Sequence, residues 1–118
     1  MTKVFISQPM KDLSEEEILE NRKKITDLIM TKYNGDVEIV DSYIEEKPPE
    51  GSNPGVWYLG KSIELLATAD AIALAPGWSD ARGCKIEYKV ATEYELTVLT
   101  ISHAYNSITS TKYINLHY

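Results

Sequence analysis

Residues 69–91, ADAIALAPGWSDARGCKIEYKVA, decide the fold. Ala71 to Ala75 is an unbroken apolar run, short enough for a strand and so hydrophobic that both of its faces must be covered. Pro76 and Gly77 end it, and a helix is expected from about Arg82 to Tyr94. A buried parallel strand that feeds a helix through a tight turn is half of a βαβ unit. The crevice beyond the carboxyl ends of such strands is where open α/β sheets bind ligands. Asp80 and Glu87 fall at that edge, whereas Asp70 precedes the strand and reads first as a cap on the helix before it.

The same alternation extends outward. Val4-Phe5-Ile6 is a first strand, stopped by Ser7-Gln8-Pro9. Ser14-Glu15-Glu16-Glu17 fits a capping box, and Ile18, Ile25, Leu28 and Ile29 follow at helical spacing until Asn34-Gly35. Val37 to Val40 is a second strand leading into Asp41, Ser42 and Tyr43. Glu45 to Gly55, rich in proline and glycine, reads as an irregular loop at the active edge and a candidate lid. A second helix is expected from Val56 or Trp57 to Thr68, and a fourth strand over Thr97 to Ile101. The expected fold is α/β: one small Rossmann-like, flavodoxin-like three-layer sandwich over residues 1–118, with a mainly parallel sheet. The segment after Ser102 has no clear period, yet Tyr105, Ile108, Tyr113, Ile114, Leu116 and Tyr118 suit a last strand or a contact between copies.

Composition narrows the function. Twelve basic against 18 acidic residues give a net charge of −6, which disfavours gripping a nucleic-acid polymer. Cys84 is the single cysteine, so no internal disulfide forms, and no Cys/His cluster has zinc spacing. The apolar run after Met1 is far too short for a membrane span, and a reducing cytoplasm is the expected compartment. No metal and no cofactor are called for.

Glu87 carries the chemistry. With a helix starting near Arg82 it shares a face with Val90, Ala91 and Tyr94, a carboxylate on an otherwise apolar stripe close to the positive helix end. Such a group is suited to attack an anomeric carbon; acidic residues near helix starts also serve simply to balance the dipole. Gly77 and Gly83 allow close backbone approach and leave amides open to an anion. Ser7, Gln8, Pro9 and Met10 after the first strand, with Asp41 and Tyr43 after the second, face the same crevice and could orient a sugar or a base. Trp57 reads as core or lid packing, while Trp78, in a turn, offers a face for stacking. Cys84 reads as a small hydrophobe, and His103 and His117 have no motif partners.

The run Asp70 to Gly77, then Asp80, Gly83-Cys84, Glu87 and Ala91, resembles the signature of nucleoside 2-deoxyribosyltransferases and their nucleotide N-glycosidase relatives. The opening Val4 to Met10 also looks like that family's first strand and ligand-binding turn. The resemblance implies that Glu87 is the nucleophile and that Asp70 serves the base or its proton transfer. It implies a nucleoside or nucleotide substrate, N-glycosidic cleavage or glycosyl transfer, and a homo-oligomer whose pockets are completed by a neighbouring subunit. Three positions depart from the family pattern. Phe5 stands where a tyrosine is common, Asp80 lies one residue further from Glu87 than usual, and Gln8-Pro9 replaces smaller residues. The loss of the tyrosine hydroxyl supports an alternative, a catalytically reduced protein that senses or sequesters a nucleotide-derived molecule.

Overall fold

The computed structural model describes residues 1–42 and 44–112. Among them the strands β1 (Thr2–Ser7), β2 (Val37–Val40), β3 (Ala71–Leu74), β4 (Thr97–Ile101) and β5 (Ile108–Lys112) form one sheet in the order β2-β1-β3-β4-β5. Helices α1 (Glu15–Lys32), α2 (Pro54–Leu66) and α3 (Arg82–Glu93) supply its covers. The first four strands are parallel, and β5 pairs antiparallel with β4, with Ile101 opposite Ile108. The expected α/β sandwich is therefore present, with an antiparallel edge. The β2-β1-β3 order reverses the direction of strand addition at β1, which opens a crevice between the carboxyl ends of β1 and β3.

Side-chain alternation splits the core into two layers. Val4, Ile6, Ala71, Ala73, Leu99 and Ile101 pack with Ile25 and Ile29 of α1. Phe5, Ile72, Leu74 and Val98 pack on the other face with Leu66 of α2 and Ala91 of α3. The parity that sends Phe5 toward α2 and α3 sends Ser7 the same way, and Gln8 back toward α1.

Local signals explain the element ends. The Ser14 hydroxyl accepts from the Glu17 amide at 3.1 Å, and the Glu17 carboxylate accepts from the Ser14 amide at 3.2 Å, so the capping box at α1 is complete. Helix α2 begins at Pro54, two residues before the earliest start expected from the sequence. Asn53 caps it by accepting from the Val56 amide at 3.1 Å, and proline loses nothing at a first helical turn. Pro54 and Gly55 thus leave the candidate lid. The C-terminal segment gives a last strand. Tyr105 and Ile108 pack against the α1-side core, while Tyr113, Ile114, Leu116, His117 and Tyr118 lie outside the described residues. No helix among the described residues is long and apolar enough to cross a membrane.

Candidate active site

Strand β1 runs on to Ser7, so its hydroxyl reaches the carboxyl edge while 99 % of the residue is enclosed (relative exposure 1 %). On α3, Cys84, Glu87 and Ala91 form the buried stripe, and Glu87 is only 7 % exposed. The Ser7 hydroxyl donates to Glu87 Oε1 at 2.6 Å, joining positions 80 residues apart. Burial pushes the Glu87 carboxyl above its ordinary range, and the hydroxyls of Ser7 and, on α2, Ser62 pull it partly back. Burial pushes up the thiol of Cys84, one helical turn earlier, so it is not a reactive thiolate.

The turn above Glu87 is tightly built. The Ala75 amide donates to the Ser7 carbonyl at 3.0 Å, extending the β1–β3 pairing past the strand end. Gly77 then adopts a left-handed φ of 86°, and a Cβ there would meet the Pro9 ring at 3.6 Å. Trp78 to Asp80 make one 3-10 turn, and Ala81, the cap position of α3, brings no side-chain acceptor. The first amides of α3, at Arg82, Gly83 and Cys84, are therefore left to whatever occupies the mouth.

The structure brings some of the expected residues to Glu87 and not others. Ser7 touches it, Gly77, Asp80 and Gly83 lie in the turn and first helical turn beyond it, and Pro9 packs beside Gly77. Gln8 faces away, its amide nitrogen donating to the Ile18 carbonyl of α1 at 3.0 Å. Met10 is exposed, and Tyr43 lies outside the described residues. The Trp78 ring is committed to packing: it lies 4.5 Å from that of Tyr88 and joins the α3-side core. Asp70 corrects the role implied by the resemblance. It stands at the amino edge of β3, where its carboxylate accepts from the Lys3 amide at 2.9 Å and its own amide donates to the Lys3 carbonyl at 2.8 Å. That is the opposite end of the strand from the turn leading to Glu87.

Asp41, at the end of β2, lines a groove of about 330 Å³ between the loop that follows it and the α2 face carrying Lys61, Glu64 and Leu65. Lys61 is 3.6 Å from Glu46 and 3.8 Å from Glu64, with its ammonium 5.4 Å from the Trp57 ring centre. Among the described residues no group of histidine, cysteine and carboxylate side chains is placed to hold a metal ion. Sequence reasoning passed over Ser62. Its one available signal is its place four residues before buried Leu66, a small polar side chain on an apolar stripe.

A family profile described as Domain of unknown function (DUF4406) matches residues 2–100, a span that includes both Ser7 and Glu87 and stops before β5. The search of curated proteins gave no match.

Proposed function

The chain belongs to the DUF4406 family, whose description assigns no activity, and for this member we propose cleavage or transfer of the N-glycosidic bond of a nucleoside or nucleotide. The observation that carries the reading is the buried Glu87 carboxylate, held by Ser7 at the β1/β3 crevice. An enclosed carboxylate with hydroxyl donors and a fixed orientation is equipped for nucleophilic work.

A Glu87 oxygen forms a bond to the anomeric carbon as the bond from that carbon to the base nitrogen breaks, through an oxocarbenium-like transition state. The electron pair of the broken bond leaves with the base, which takes up a proton. Water or a second base then displaces the carboxylate, giving hydrolysis or transfer. Asp80, exposed at the mouth, is the carboxylate available to a sugar hydroxyl or to the leaving base, a part that Asp70 cannot fill from the far edge. The α3 amides suit a phosphate or another anionic group of the substrate.

The near-complete enclosure of Glu87 and the hydroxyl-free Phe5 ring, 2 % exposed on the same sheet face, favour a second reading: a binder that keeps the pocket without turnover. Incubation with a panel of nucleosides and nucleotides, followed by chromatography of free base, decides between them. Release that is lost in Glu87→Gln supports the enzyme. Calorimetric binding with no release from any member of the panel supports the binder.

A further inference from the structure

We infer that Ser7 is a positioning residue that holds the Glu87 carboxylate in its working orientation from an anchor in the sheet. The inference rests on the reading of Glu87 as the nucleophile and adds the residue that aims it.

The Glu87 side chain turns about three bonds, and a charge enclosed to this degree needs hydrogen-bond donors to remain a charge. Among the described residues no cation is paired with Glu87, whereas the Ser7 hydroxyl donates to it at 2.6 Å. Ser7 is locked on both sides, by the β1–β3 register that sets it beside Leu74 and by the Ala75 amide on its carbonyl. The carboxylate on α3 is thereby referenced to the sheet.

The Ser7 hydroxyl donates most strongly to the full carboxylate charge. In the glycosyl-enzyme that charge is spent in the ester, and it returns as the ester is displaced. Ser7 therefore assists the second step, in which Glu87 is the leaving group, as well as orienting the first. A serine that merely filled space would do neither.

The test uses the full chain labelled with ¹³C at glutamate side-chain carboxyls, with the Glu87 signal assigned by Glu87→Gln. Its titration is followed in the wild type, Ser7→Ala, Ser7→Thr and Ser7→Cys, each first checked for folding by circular dichroism. The Glu87 midpoint is expected to move upward in Ser7→Ala and to return toward wild type in Ser7→Thr. In base-release assays the acid limb of the pH profile moves the same way, and kcat falls roughly tenfold with little change in KM, the scale of one charged hydrogen bond. If Ser7→Ala fails to fold, Ser7→Cys, close to serine in size but a weak donor, carries the comparison with Ser7→Thr. A Glu87 titration unmoved by loss of the Ser7 hydroxyl overturns the inference, whatever the turnover. A moved titration with no base release from any substrate, wild type included, leaves the Ser7 contact standing and removes the glycosidic reading instead.

Discussion

Ionising Glu87 works against the fold. Its carboxyl is raised in the folded chain relative to the unfolded one, so the folded state holds the proton more tightly. The stability this contributes is present in full below the unfolded carboxyl's range and is lost as pH rises through the folded one. Glu87→Gln, neutral at every pH, is therefore expected to melt higher than wild type at pH 7, with the gain vanishing toward acid pH, while base release disappears; thermal melts across pH read the first and chromatography the second. Asp70→Asn is expected to leave turnover unchanged, and to cost about 1 kcal/mol or less by denaturant titration, because its bond to Lys3 is exposed. Glu87 was legible in the sequence because a charge stands out on an apolar stripe. Ser62 was not, since a helical serine ordinarily faces water. Asp70 stands ahead of the strand, as its position implies, but its carboxylate takes the Lys3 amide and does not cap the helix before it.

At the scale of elements, the candidate lid lies in the β2–α2 connection. Arg22 of α1 clamps its start, donating to the Ser42 hydroxyl at 3.0 Å and to the Val40 carbonyl at 3.4 Å. The Asn53 cap fixes its end. Residues 45–53 are expected to be shielded from limited proteolysis at saturating nucleotide, and equal cleavage rates with and without nucleotide would remove the lid. Arg22→Met is expected to speed that cleavage in the free protein, since it releases the clamp without touching Glu87. Asn53→Ala is expected to lower stability by about 1 kcal/mol, the ordinary cost of an N-cap. The helix start at Pro54 was in fact written in the sequence as Asn-Pro, a cap and a first-turn proline. It was masked by the glycines and prolines around it. Strand β5 was harder to read. Its sequence, Ile108-Thr109-Ser110-Thr111-Lys112, is mostly polar and exposed, so its pairing follows from the β4 edge beside it and not from any apolar pattern of its own.

For the whole molecule, we propose a homo-oligomer. Helix α2 opens with Pro54 to Gly60, free of charge, with Val56 and Tyr58 exposed, and only Leu66 of the helix fully buried. Between copies that each carry a net charge of −6, an uncharged face is where repulsion is least. Light scattering is expected to give at least a dimer, and a monomer would refute it. The truncation that locates the contact has to end after Lys112, because a cut at Ser102 would remove β5 and leave the β4 edge bare. The central place of β1 also governs how the chain reaches this state. Its partners are remote in sequence, Val37 beside Thr2 and Ala71 beside Val4, whereas β4 and β5 meet across a short hairpin loop. Loop closure over such distances is slow compared with a local hairpin. The β4–β5 pair is thus free to form early, but β1 joins the sheet only when most of the chain has been gathered. Ser7 lies at the end of that late strand, so refolding should restore the Ser7–Glu87 contact in the slowest phase, well after helical signal has returned.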